Sequence, residues 1–356
     1  MIALPFDKTH ALIRRIFEAY GFSADNSAAI TDALLAADLA GIESHGIQRM
    51  IRYDGAVKDG MVDPHAVPET VWETPLSAVI DAKKAMGQLV SIQAMKLAME
   101  KAKAHGIGMV TVRNSNHFGI AGYYARMAAA QGLIGVSMTN SEAIMVPTNS
   151  RQAMLGTNPI AVAFPADPVP FCFDAATTVV TRGKLEVYNK AEQSLPGEWA
   201  VDEKGQPCAD PGRVIGNIVA RTGGGILPLG GSCEISGGHK GYGYGMLCEL
   251  FTAILSGGTP SYRSYTQPGL ADSAHAFWAI DYRLFGHPED IRESCSAFLE
   301  DMRQATPAAE GQRVYIHGEK ELEFAEGVYQ NGIPANEKTV NELRQIAAEQ
   351  HIPFEL

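Results

Sequence analysis

The stretch "IGMVTVRNSNHFGIAGYYARMAAAQGLIGVSMTN", residues 107–140, changes its hydrophobic period twice, and the fold class follows from those changes. "IGMVTVRNS" (107–115) is short, rich in Ile, Val and Thr and preceded by glycine, which predicts a strand. "GIAGYYARMAAAQG" carries small and apolar residues at helical spacing, and "LIGVSMTN" (133–140) reads as a second strand. Strand, helix and strand form one unit of an α/β arrangement. Asn116 and His117 fall just after the first strand, the end at which α/β proteins favour ligands. A loop histidine bonded only to its neighbours would stand in the same place.

Outward from this unit the pattern becomes helical at both ends. "KTHALIRRIFEAYG" and "SADNSAAITDALLAADLAG" place apolar residues three and four apart, each with a glycine at its end. "LSAVIDAK" predicts a short strand, and "GQLVSIQAMKLAMEKAKAHG" an amphipathic helix closed by Gly106. Further strands are expected in "NPIAVAFPA", "PFCFDAATT" and "AHAFWAIDYRLF", and helices at 246–256, in "PEDIRESCSAFLEDMRQ" and in "KTVNELRQIAAEQH". Residues 205–245 carry turn chemistry and read as loop-rich. The expected class is mixed α/β, with helical N- and C-terminal parts around a strand-rich middle.

The chain has 356 residues, 46% of them hydrophobic, enough for a large core. A formal net charge of −11 opposes binding to phosphate backbones and anionic lipid, so neither nucleic acid nor membrane is an expected partner. No apolar run is long enough to span a bilayer, and "MIALPFDKTH" lacks a signal-peptide pattern, so a cytoplasmic location is expected. The five cysteines are scattered, without a C-x-x-C pair, so neither a disulfide framework nor a thiolate zinc site is indicated. An acidic protein that handles a small anion must make its positive potential locally.

"ESHGIQRMIRY" (43–53) is one place where it could do so. With Gly41 ending one helix and Ser44 capping the next, His45, Arg49 and Tyr53 share a face. An imidazole moves protons near neutral pH, and a guanidinium one turn away can grip a carboxylate through two parallel bonds. A capped surface helix with a solvated arginine has the same spacing. "GGHKGYGYGML" offers backbone N–H groups and Lys240 for a diphosphate, or a flexible connection. "GIGMVT" has Thr111 where a Rossmann fingerprint needs its third glycine, and no H-E-x-x-H indicates a metal.

Taken in order, "GIESHGIQRMIRY", "VRNSNHFGIAGYYA", "IGVSMTN", "GTNPIAVAFP", "FDAATTVVTRGK", "WAVDEKGQPCADP", "ILPLGG" and "GGHKGYGYG" resemble the non-Rossmann malate and L-lactate dehydrogenase family. That family includes ureidoglycolate, sulfolactate and diketogulonate oxidoreductases. The resemblance implies a non-Rossmann NAD(P)-dependent fold, with NAD as cofactor and NADP left open, and hydride transfer at C2 of a small L-2-hydroxy acid. It implies two domains, residues 1–118 plus 316–356 for substrate and assembly and 119–315 for cofactor, in a homodimer. His45 and His117 inherit the acid/base roles, and Ser44, Arg49, Tyr53 and Asn116 the substrate-binding ones, with Arg49 as the carboxylate clamp and Ser44 and Asn116 as the neighbours that orient the histidines. Ser141, Asp174, Ala175, Ala176, His239, Lys240, Gly318 and Glu319 match the family's cofactor positions. Two departures stand out: "TNS" (148–150) replaces a usual glycine pair, and "HGEKE" matches its segment only loosely. Reduction of a cyclic imine 2-carboxylate, and non-catalytic sensing of a carboxylate metabolite, are the competing readings.

Overall fold

The computed structural model describes residues 2–266 and 269–356. In chain order these form β1 (Ile2–Leu4), α1 (Phe6–Ala19), α2 (Ala24–Leu39), α3 (Met50–Lys58), β2 (Glu69–Glu73), β3 (Ser77–Asp81), α4 (Gly87–His105) and β4 (Ile107–Ser115). Then come α5 (Ala121–Ala129), β5 (Ile134–Thr139), β6 (Ile160–Phe164), β7 (Phe171–Ala175), α6 (Arg182–Lys190), β8 (Ala200–Val201), α7 (Pro211–Ala220) and β9 (Gly225–Ile226). The chain closes with α8 (Gly238–Glu249), β10 (Ser273–Ile280), α9 (Pro288–Arg303), α10 (Glu319–Asn331), β11 (Ile333–Ala335) and α11 (Glu337–Glu349). No helix among the described residues is long and apolar enough to cross a membrane.

One seven-stranded sheet, ordered β2-β3-β4-β10-β5-β6-β7, organises the middle of the chain. β3 and β4 are its parallel neighbours, and every other adjacent pair is antiparallel. A Rossmann sheet is parallel, so this architecture is of another kind. The strand–helix–strand unit at 107–140 is present, but β10 is inserted between its two strands. Because β4 and β5 both run antiparallel to β10, they run parallel to each other and end at the same end of the sheet.

α4 and α5 cover one face of the sheet, where Ala94, Ala98, Tyr124, Ala125 and Ala128 pack with Val110, Val112 and Phe277. Small residues are needed there: a Cβ on Gly135 would lie 2.2 Å from the Ala125 carbonyl oxygen, and one on Gly108 2.1 Å from that of Ala98. The alanine-rich helix therefore spends its small residues on the sheet. Across the other face, Cys248 of α8 meets Val136, Met138 and Ala276. The helical ends share a second core, in which Ile13, Ile16, Phe17 and Leu34 pack with Val328, Leu343 and Ile346. β1 pairs with β11, tying Leu4 to Ile333.

The turn-rich reading of 205–245 is corrected by α7 and by α8, which begins at Gly238, eight residues before the expected helix. Gly238 and Gly241 of α8 are there for close packing. A Cβ on Gly238 would lie 2.1 Å from the Gly231 carbonyl oxygen, and one on Gly241 2.3 Å from that of Leu229. Composition that resembles a flexible loop thus marks a helix pressed against backbone.

Candidate active site

The common end of β4 and β5 opens on a cavity of about 300 Å³. The chain leaving β4 brings His117 and Phe118, the chain leaving β5 brings Asn140, Ser141 and Glu142, and Ser273 enters from the start of β10. His45, Arg49 and Arg52 line the side formed by the helical N-terminal part, and Thr181, Arg182 and Gly183 come from the start of α6. Behind the cavity His275 is fully buried, its ring nitrogens 2.7 Å from Thr139 Oγ1 and 2.8 Å from Ser115 Oγ. It joins the ends of β5 and β4, and stacks on Phe118 with ring centroids 4.6 Å apart.

The segment expected to be a helix from His45 is instead two 3₁₀ turns, 43–45 and 47–49, followed by α3. Ser44 is not its cap. The buried Asp38 takes that part, accepting the Ile47 N–H at 2.9 Å. A Cβ on Gly46 would lie 2.1 Å from Asp38 Oδ1, so the glycine of "SHG" is required by this close approach. Burial pushes the Asp38 carboxyl up to about 8, with nearby Glu43 adding to the effect.

His45 and His117 stack with ring centroids 5.4 Å apart and an interplanar angle of 27°. Ser44 Oγ lies 2.9 Å from His45 Nδ1. His117 Nδ1 is 2.7 Å from Tyr53 Oη, which accepts the Gln88 amide N–H at 2.8 Å, and the Gly119 N–H approaches Nδ1 at 3.4 Å. Burial holds both rings below the ordinary imidazole value, helped by the positive Arg49 and Arg52; His45 falls to about 3. Both are therefore neutral near pH 7, the state in which an imidazole can take a proton.

Three guanidinium groups face this pair. Arg49 donates through Nε to the Ser44 carbonyl, which fixes its stem beside His45. Arg182 is held between Glu142 at 3.0 Å and Glu186 at 3.2 Å. Arg52 lies 5.8 Å from the Tyr265 ring centroid and makes no ion pair among the described residues.

Of the residues singled out in the sequence, His45, Arg49, His117 and Ser141 line the cavity together. Ser44, Tyr53 and Asn116 do not line it and instead hold those that do: Asn116 donates to the Met61 and Ala85 carbonyls, both at 3.1 Å, pinning the loop that carries His117. Ser141 Oγ accepts the Thr157 N–H at 3.2 Å. Asp174 lies outside the cavity, its Oδ2 accepting the Gly122 N–H at 2.6 Å near the start of α5, with Ala175 and Ala176 following it. Burial raises this carboxyl to about 6. Gly318 flanks the beginning of β7, and Glu319 beside it is ion-paired to Arg303 at 2.5 Å. His239 and Lys240 are exposed in the first turn of α8, also away from the cavity. Sequence reasoning passed over Arg52, although it stands three residues after Arg49, and Arg182, the first residue of a helix that periodicity did not reveal. Gln88, Tyr265 and His275 reach the site only through long-range packing, with no local signal. No group of three or more His, Cys, Asp or Glu that could hold a metal ion occurs among the described residues.

Comparison with known proteins gives a consistent picture. The family described as malate/L-lactate dehydrogenase matches residues 4–344. A malate dehydrogenase of Pyrococcus horikoshii is 41% identical over 347 residues, 97% of this chain and 95% of that protein. An L-sulfolactate dehydrogenase of Methanocaldococcus jannaschii is 34% identical over 340 residues, covering 95% and 94% of the two chains. Among solved structures, a malate dehydrogenase from Entamoeba histolytica superposes with a TM-score of 0.94 at 32% identity, covering 100% of this chain and 99% of the other.

Proposed function

The chain belongs to the malate/L-lactate dehydrogenase family and is an oxidoreductase acting on CH–OH donors, and from that premise we propose that it interconverts a small L-2-hydroxy acid and its 2-oxo acid with NAD. The observation that carries this reading is the stacked His45–His117 pair beside Arg49 in one cavity. A guanidinium at the wall grips the C1 carboxylate, and an imidazole within the same cavity exchanges the proton of the C2 oxygen. We assign that exchange to His117, because Tyr53 and the Gly119 N–H occupy Nδ1 and leave Nε2 for the substrate. The bound carboxylate brings a negative charge close to an imidazole that burial and arginines hold neutral, which raises its proton affinity as the reaction requires.

The family implies a nicotinamide cofactor, and the residues present suit one. Phe118, Ile144 and Pro159 offer apolar walls for a flat ring, with the hydroxyls of Ser141 and Thr157 at its polar edge. Gly119, at φ +84°, leaves the neighbouring backbone bare, with only the Ala33 carbonyl within 4 Å of an added Cβ. When bound, the nicotinamide accepts or returns the hydride of C2. Ser141 is the matched cofactor residue that this placement favours. Asp174, Ala175, Ala176, Gly318 and Glu319 would serve it only from β7 and its flanks, and His239 and Lys240 only from the start of α8.

Arg52, unpaired among the described residues, favours substrates with a second anion, malate or sulfolactate, over lactate. The helical ends and the 119–315 region are proposed as the substrate and cofactor parts, although β2, β3 and β4 belong to the same sheet as the latter. The exposed apolar residues Tyr244, Leu247, Leu250 and Ile254 on and after α8 support a homodimer that covers them. Purified protein assayed with NADH and with NADPH against oxaloacetate, sulfopyruvate, pyruvate and cyclic imine 2-carboxylates tests the central reading. Turnover fastest with a 2-oxo acid and NADH is expected. Turnover of imines alone, or cofactor binding without turnover of any compound in the panel, would overturn it.

A further inference from the structure

Gln88 is wholly buried on α4, and its two amide atoms are treated unequally. Nε2 donates to Tyr53 Oη at 2.8 Å, while Oε1 has no hydrogen-bond partner among the described residues. A buried carbonyl oxygen left without a donor is costly, roughly the desolvation of the group without compensation, so its persistence in a core calls for a use.

The order of donors along this chain fixes the state of His117. With Gln88 donating to Tyr53 Oη, the tyrosine proton is free to point at His117 Nδ1, and the Gly119 N–H points at the same atom. Nδ1 is then an acceptor, and the neutral ring carries its proton on Nε2. That form donates a hydrogen bond to a 2-oxo oxygen. It cannot take a proton from a hydroxyl group, because Nε2 has no lone pair to offer.

We propose that Gln88 is a positioning residue whose buried amide reverses to select the protonation form of His117 through Tyr53. This rests on the reading of His117 as the acid/base group. With the amide reversed, Oε1 accepts the Tyr53 O–H, Tyr53 Oη accepts Nδ1–H, the long 3.4 Å Gly119 contact is given up, and Nε2 is left bare. In oxidation the substrate O–H bond breaks, its proton goes to Nε2, its electron pair forms the C=O bond, and the hydride leaves C2 for the nicotinamide. The imidazolium that results has two N–H groups, and the reversed amide satisfies the inner one through Tyr53. In reduction the same proton returns from Nε2 to the oxygen. Gln88 touches neither substrate nor cofactor in this scheme and acts only through Tyr53.

The test reads His117 directly and needs no substrate. Full-length protein labelled with ¹⁵N-histidine is followed by two-bond ¹H–¹⁵N spectroscopy, with the His117 signals identified by their loss in His117→Gln. Wild type is expected to show Nε2–H with a bare Nδ1. Gln88→Glu, followed upward in pH past the burial-raised titration of its carboxyl to where the ionised carboxylate can only accept, is expected to shift the ring toward Nδ1–H. Gln88→Met offers Tyr53 no acceptor and is expected to keep the Nε2–H form. In turnover, Gln88→Met should lower kcat for hydroxy-acid oxidation roughly 10- to 100-fold, and Gln88→Glu should move the acid limb of that pH profile upward. Both effects should vanish in a Tyr53→Phe background. An identical His117 pattern in wild type, Gln88→Glu and Gln88→Met would overturn the proposal. A shift in the pattern without turnover of any 2-oxo acid would leave Gln88's role standing and fail the functional reading instead.

Discussion

Replacing Gly46 by alanine is the smallest change that tests how the active-site turn is held. The added Cβ would lie 2.1 Å from Asp38 Oδ1 and 2.2 Å from both Cγ and Oδ2, whereas a carbon–oxygen contact needs roughly 3.3 Å. The side chain or the turn must therefore move by about 1 Å. Asp38 is only 4% exposed and its Oδ2 holds the Ile47 N–H at 2.9 Å, so the displacement breaks a buried bond. Overpacking costs about 1–3 kcal/mol and the orphaned N–H about 1–3 kcal/mol, for a total of about 2–6 kcal/mol. His45 precedes Gly46 and Arg49 follows three residues later, so an ångström-scale shift of both should reduce kcat/KM by about 10²-fold. Urea unfolding gives the first quantity and steady-state kinetics the second. Gly55→Ala is the control: nothing lies within 4 Å of its Cβ in α3, so it should stabilise by about 0.5–1 kcal/mol and leave turnover unchanged. Adding Asp38→Ala to Gly46→Ala opens the space and should recover part of the lost activity. Full stability and turnover in Gly46→Ala would mean that the Asp38 contact does not hold the turn.

Two other outcomes follow from charge and burial. Arg52→Gln should lower kcat/KM for a substrate with a second anion by about 10- to 100-fold, the loss of one charge-assisted bond of about 1.5–3 kcal/mol, and leave lactate within about twofold; equal losses for both would remove Arg52 from specificity. His275 has its proton affinity lowered by burial to about 3, so below the unfolded value of about 6.5 the unfolded chain binds a proton that the folded ring refuses. Its contribution is constant above pH 6.5 and is lost as pH falls toward 3, at about 1.4 kcal/mol per pH unit. Unfolding measured at pH 7, 6 and 5 should show that slope reduced by the same amount in His275→Gln, and parallel slopes would count against it.

The parts of the fold visible in sequence are those whose patterns are set by local burial. α1, α2, α4 and α11 each bury one face, and Gly106 closes α4 in the left-handed conformation at φ 91°. α8 was hidden because Gly238 and Gly241 answer to the backbone of residues 229–231, a packing against main chain that hydrophobic periodicity does not register. α7 was hidden for a related reason, since Gly212 and Gly216 and the surrounding "ADPG" and "RTGGG" resemble turns. The sheet order was equally out of reach: β10 enters between β4 and β5 from more than a hundred residues away. The site divides along the same line. His45, Arg49 and His117 carry chemistry in their side-chain types and could be named, whereas Asp38, Gln88 and His275 act by being buried next to distant partners. Ser44 illustrates the limit, since a residue suited to capping stands in place while Asp38, six residues earlier, makes the bond.

In the proposed reaction His117 exchanges the substrate proton while His45 stands beside it. Paired variants His117→Gln and His45→Gln, assayed for kcat in both reaction directions with wild-type folding stability verified, test it most directly. His117→Gln is expected to lower kcat by about 10²- to 10⁴-fold, and His45→Gln substantially less. The reverse order, with near-normal turnover in His117→Gln, would contradict it and transfer the role to His45.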